Sequence, residues 1–217
     1  MIEIPKSKNV YEEISSHVDI FAYKIENNLI IEPIFYNYFM EQVKGFEINT
    51  NIIKGDNIVH TQYPKDISYN VCTIGDYAIH NFKYTSKKII DLLYSLGYKL
   101  INVKQGYTNC SIAVIDDNSL IVSDKGLYKE LSKYDLDILF IDNKLDIKLL
   151  NGSGYSNKHG FIGGCISRIG DNIIVFGDLS KIDNNNIIRN FILTKKLNII
   201  EFKELDVIDY GGIIEFD

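Results

Sequence analysis

One pattern recurs along this chain: an apolar run, a tight turn, a second apolar run, a helix-like segment and a short closing strand. Cys72 to Val103 carries it with Gly75-Asp76 at the turn. Cys110 to Ile141 repeats it over an interval of the same length, turning at Asp117-Asn118. Val18 to Asn49 is another copy, turning at Asn27-Asn28, and Cys165 to Phe202 is a longer one, turning at Gly170-Asp171. Self-similarity at a fixed period limits the fold more than any single motif, because each unit must bury its apolar face against its neighbours.

The local chemistry agrees with this reading. Gly-Asp, Asp-Asn and Asn-Asn tolerate the positive φ of tight hairpins. A helix is predicted to start at Thr85 or Ser86 as N-cap, to turn Ile89, Ile90, Leu93 and Leu96 to one face, and to stop at Gly97. Asp124 and Asp183 are placed to cap the matching helices of the next two copies. Third strands such as Asp137–Ile141 are short apolar runs expected to lie buried beside the helices. The expected architecture is a single α/β domain over 1–217 with ββαβ modules at 17–50, 70–104, 108–142 and 162–203. A fifth, incomplete module would close the ring from a strand at Gly212–Phe216 in 207–217 and from Ile2-Glu3-Ile4 in 1–5.

Composition narrows the class of function. With 46% hydrophobic residues the 217-residue chain is long and apolar enough to build a core. No apolar run approaches the roughly 20 residues that span a bilayer, and Met1 to Lys8 lacks a secretory pattern. Three cysteines without such a signal point to free thiols and a cytoplasmic protein. A net charge of −6 argues against nucleic-acid binding and suits a cationic ligand. No cysteine pair has zinc-ligand spacing and no nucleotide-binding fingerprint is present, so neither metal nor cofactor is expected.

The junctions between modules carry the candidate site. Lys104-Gln105-Gly106-Tyr107 leads into Cys110, and Lys158-His159-Gly160-Phe161 leads into Cys165. His17-Val18-Asp19 opens the first copy, and Asp209-Tyr210-Gly211-Gly212 opens the last strand. If modules are related by rotation, equivalent junctions meet at one end of the axis and gather distant residues into one pocket.

Repeated ββαβ modules with His17-Val-Asp-Ile-Phe-Ala22 at a strand start resemble the pentein fold, the α/β-propeller of guanidino-group-modifying enzymes with pseudo-fivefold symmetry. The run Lys104-Gln-Gly-Tyr-x-x-Cys-Ser111 and the run Gly160-Phe-Ile-Gly-Gly164 resemble an uncharacterised bacterial group of that fold. The resemblance implies a nucleophilic cysteine, a catalytic histidine and carboxylates that grip a guanidinium, in a circularly permuted order. Carried onto this chain it implies Cys110 and His17 as catalytic residues. Asp19, Asp209, Asn109, Gln105 and His159 would bind substrate. The activity implied is a deiminase-like hydrolase or an amidinotransferase acting on a small guanidino compound. The alternative is a non-catalytic pentein that binds a ligand or partner, with homo-oligomerisation through the incomplete module as a further expectation.

The chain departs from the family pattern in three places. The acidic residue at the Gly-Gly motif is Asp209, displaced by Tyr210; Gly163-Gly164-Cys165 stands where an Arg-Asp pair is usual; and the fifth module lacks a second strand and helix. Cys110 equally suits a buried strand position, and His17 and Asp19 an ordinary strand start. Cys72 and Cys165 read as core, recurring at the strand position of Cys110. Asp124 and Asp178 read as turn or helix-start residues. Asn151-Gly-Ser-Gly-Tyr155 reads as an inter-module loop or as a lid, and His60 and His80 take no role.

Overall fold

A computed structural model describes residues 2–142, 145–150 and 158–216. The first module opens with a helical turn, α1 (Val18–Phe21), followed by β1 (Ala22–Ile25), β2 (Asn28–Ile31), helix α2 (Pro33–Gln42) and β3 (Asn51–Lys54). The second has β4 (Cys72–Ile74), β5 (Tyr77–His80), α3 (Lys87–Ser95) and β6 (Lys99–Asn102). The third has α4 (Thr108–Ser111), β7 (Ile112–Val114), β8 (Ser119–Val122), α5 (Lys125–Leu131) and β9 (Asp137–Phe140). After β10 (Lys148–Leu149) the fourth has α6 (Ile162–Cys165), β11 (Ile166–Ile169), β12 (Asn172–Val175), α7 (Ile187–Thr194) and β13 (Asn198–Glu201), and β14 (Ile208–Asp209) follows.

Each module is one three-stranded sheet with its second strand in the centre. The first strand pairs antiparallel through the hairpin, while the third pairs parallel after the helix. Parallel pairing of consecutive strands needs a crossover, and the helix supplies it. Gly75-Asp76 and Gly170-Asp171 are the two-residue hairpin loops expected, with Gly75 and Gly170 at φ 50° and 57°. In the first module the turn falls one residue early, on Glu26-Asn27, because Ile25 pairs with Asn28 and Glu26 takes the positive φ of 47°.

The helix starts use side chains as expected in two copies. Asp124 accepts a hydrogen bond from Leu127 N at 2.8 Å, and Asp183 accepts from Ile188 N and Arg189 N at 2.9 Å each. Ser86 is the N-cap of α3, but its hydroxyl donates to Asp56 in the preceding connection and not to its own helix. Asp178 accepts from Ser180 N and Glu204 N, as a turn residue does.

Two expectations are corrected. The third strands are not fully buried: β9 is half-buried with Asp137 exposed, and β3 and β13 leave their end or alternate residues exposed. Each is an outer strand of its sheet, on the side opposite the first strand. The chain ends also form no strand at 2–5 or 212–216. β14 pairs instead with β10, in parallel, through Lys148↔Ile208 and Leu149↔Asp209. Gly211 and Gly212 at φ 75° and 80° break the extended backbone just beyond β14. Ile2, Ile4, Ile214 and Phe216 pack their side chains on the first module's core.

The core divides at the module boundaries. One cluster joins β1, β2 and α2 to Ile89 and Leu93 of α3, a second joins the second module to the third, and another joins the third to the fourth. No module covers its own apolar face, which is the physical demand read from the repeat. Among the described residues no helix is long and apolar enough to cross a membrane. The segment Asn151–Tyr155 lies outside the described residues.

Candidate active site

Three junctions fold into helical turns where strand starts were expected. Ile20 N bonds to His17 O, Ser111 N to Tyr107 O and Gly164 N to Phe161 O. Cys110 therefore lies in α4 before β7. The cysteine alignment is corrected too: Cys72 is inside β4, Cys110 precedes Ile112 by two positions and Cys165 immediately precedes Ile166. Cys72 and Cys165 are both fully buried, in keeping with core roles, and burial pushes the Cys72 thiol up to about 12.

α4 packs against α6. The close approach depends on glycine: a Cβ on Gly163 would stand 2.2 Å from Asn109 O and 2.7 Å from Cys110 O. One on Gly164 would stand 1.8 Å from Asp209 Oδ1. The Gly163-Gly164 pair thus brings the Asp209 carboxylate beside the loop that bears Cys110. Gly211, at φ 75°, does the same for the first module, its ideal Cβ position lying 2.6 Å from His17 Cβ and 2.8 Å from Asp19 Oδ1.

Four junctions meet here. The Cys110 thiol donates to Asp19 Oδ2 at 2.8 Å, and Asn109 Nδ2 donates to the same oxygen at 3.1 Å. His17 Nδ1 lies 3.7 Å from Asp209 Oδ1, and Asp209 accepts from Phe161 N and Gly211 N at 2.9 Å. Cys110 is only 3% exposed and His17 0%. Among the described residues, neither ring nitrogen of His17 has a hydrogen-bond partner, nor does Asp19 Oδ1. Buried polar atoms are normally paired, so unused ones are where a ligand would gain hydrogen bonds.

Burial and mutual charge shape the electrostatics of this cluster. Burial raises the Cys110 thiol well above its usual range, and the Asp19 and Asp209 charges raise it further. Burial also raises Asp19, offset first by His17, and pushes Asp209 up to about 6. A cation entering the cluster would reverse both carboxylate penalties at once.

A cavity of about 280 Å³ is lined in part by Asp19 and Asn109. Its walls include Tyr23, Thr73, Val114 and Ser167, one residue from the first strand of each module, with residues 211–215. Cys110, His17 and Asp209 do not line it, although Cys110 bonds to Asp19, which does.

Two predicted binding residues lie elsewhere. The Gln105 side chain folds back, its Oε1 accepting from Gly106 N and Tyr107 N and its Nε2 donating to Asp124. His159 is exposed and does not line the cavity. His80, unassigned from sequence, is buried between Thr85 Oγ1 and Gly106 O. Sequence reading missed Asn70, which touches both Cys110 and Asp19. Its one signal was position, in the junction just before β4. Among the described residues no group of three His, Cys, Asp or Glu side chains is arranged to hold a metal ion.

Comparison with solved structures gives the class. Agmatine deiminase of C. jejuni matches with a TM-score of 0.54 at 16% identity, covering 87% of this chain and 67% of that one. DDAH from Pseudomonas aeruginosa, complexed with citrulline, matches at 0.51 and 11%, covering 89% and 70%. An inosamine-phosphate amidinotransferase of Streptomyces griseus matches at 0.52 and 10%, covering 88% and 63%. The chain is a pentein-fold protein, as its sequence resemblance implied. Within that class it belongs to a family of unknown function, DUF6873, whose model matches residues 1–214. A search of the curated proteins found no match.

Proposed function

We propose that this protein modifies a small guanidino compound, with Cys110 as nucleophile and His17 as proton carrier. One observation carries the reading: the Cys110 thiol bonds to Asp19, which lines the cavity and whose second oxygen is buried and, among the described residues, unpartnered. A guanidinium offers paired N–H donors that match a carboxylate. Held there, its carbon lies close to the sulfur.

The thiol proton moves to Asp19 as sulfur bonds to the guanidino carbon; the C–N bond to the departing amine breaks, and the amine takes a proton from His17. Water then adds to the carbon, returning a proton to His17; the C–S bond breaks as Asp19 returns its proton to sulfur, and the urea-type product leaves with its remaining hydroxyl proton passing to the released amine. An amine acceptor in place of water makes the same chemistry a transfer. Four similar sheets plus the β10–β14 pair support the finer architectural reading, five units of a propeller around an axis through the cavity.

A second reading follows because Cys110 does not line the cavity: the cavity binds a cationic ligand without turnover. Screening guanidino compounds for urea-type product, with Cys110→Ser and Asp19→Asn as controls, separates the two. Product that disappears in Cys110→Ser supports the enzyme. Saturable binding with no product, unchanged in Cys110→Ser, supports the binding module.

A further inference from the structure

We infer that Asn70 is a positioning residue that holds the Cys110 sulfur and favours its thiolate; this rests on the reading of Cys110 as nucleophile. Asn70 is fully buried, and its amide is used at both ends. Its Nδ2 donates to Cys110 Sγ at 3.2 Å and to Asp19 O at 3.3 Å. Its Oδ1 accepts from Asn109 N at 2.9 Å and from Cys110 N at 3.3 Å. One side chain from the second module thus ties the helical turn bearing Asp19 to the turn bearing Cys110.

The direction of each bond gives the amide two separate tasks. Oδ1 orders the α4 backbone, a scaffolding task. Nδ2 points a donor at sulfur, and a donor stabilises thiolate over thiol. The carboxylates Asp19 and Asp209 work the opposite way. Among the described residues, Asn70 is a donor held on the Cys110 sulfur, and its partial charge favours ionisation before a cation arrives. Thr108 provides a contrast in the same junction: its hydroxyl donates to Asn70 O at 2.7 Å and to Ile79 O at 2.8 Å, scaffolding without an N–H toward the sulfur.

The test is the pH profile of Cys110 labelling by iodoacetamide, mapped by peptide mass spectrometry. Asn70→Ser withdraws the donor, and the labelling midpoint is expected to rise by about one pH unit, a roughly tenfold slower reaction at fixed pH below it. Thr108→Val loosens the same junction and is expected to lower thermal stability with the midpoint unmoved. Asn70→Leu withdraws the donor at similar size without adding charge, so it serves if the serine variant does not fold, with the same upward shift expected. An unchanged or lower midpoint in either Asn70 variant, with wild-type Cys110 labelling normally, overturns the role of Asn70 and leaves the nucleophile reading standing. A wild-type Cys110 that takes no label at any pH overturns both.

Discussion

Asp19 Oδ2 stands 2.8 Å from Cys110 Sγ although 91 positions of chain separate the two residues. The contact makes Asp19 both the acceptor of the thiol hydrogen and a charge that opposes thiolate formation. Asp19→Asn is therefore expected to act in two directions. Guanidino-ligand binding is lost, while labelling of Cys110 at neutral pH speeds up, about tenfold for each unit by which the thiol pKa falls. Calorimetric titration and mass-mapped alkylation measure the two effects. Slower labelling than wild type would contradict the electrostatic account.

Two buried groups outside and inside the cluster oppose each other as pH changes. Burial lowers His80 from 6.5 to about 4, so its contribution to stability is present above about 6.5 and is lost as pH falls through about 4. Burial raises Asp209 from 3.8 to about 6, so its contribution is present below about 3.8 and is lost as pH rises through about 6. Each is worth on the order of 3 kcal/mol in full. Urea unfolding between pH 4 and 6 should show His80→Gln losing stability as pH rises and Asp209→Asn gaining it, with wild type between them. Equal slopes in the two variants would refute the assignment.

Gly163 is packed against three carbonyl oxygens of the α4–β7 segment, all backbone. Gly163→Ala has no flexible side chain to displace, so an overpacking cost of about 1–3 kcal/mol is expected. Denaturant midpoints check the cost. Full stability in Gly163→Ala would mean that α4 and α6 move apart freely.

At the start of α5, Asp124 both caps the helix and receives the Gln105 amide. Asp124→Ala is expected to cost about 1 kcal/mol, measured by thermal unfolding, without change in ligand binding. Altered binding would bring the Gln105 loop back into the site.

Local signals in the sequence were reliable where one residue's chemistry suffices. The Gly75-Asp76 and Gly170-Asp171 turns, the Asp124 and Asp183 caps and the helix stop at Gly97, φ 81°, all depend on neighbours within a few positions. The third strands were misjudged because an apolar run reports its own residues and not what covers them. Asn70 was missed for a related reason: an amide has no distinctive spacing, and its value comes from partners 40 and 51 positions away.

By itself, the sequence determined the repeat, and with it a set of ββαβ modules that must pack on one another to bury their apolar faces. It also marked His17, Asp19, Asn109, Cys110 and Asp209 as junction residues. Only the tertiary structure decided how they meet. Helical turns replace strand starts, glycines 163, 164 and 211 let backbones and carboxylates approach, and β10 supplies the partner that the chain ends do not. Periodicity records which side chains need cover, whereas contacts between distant segments depend on close packing that no single segment encodes.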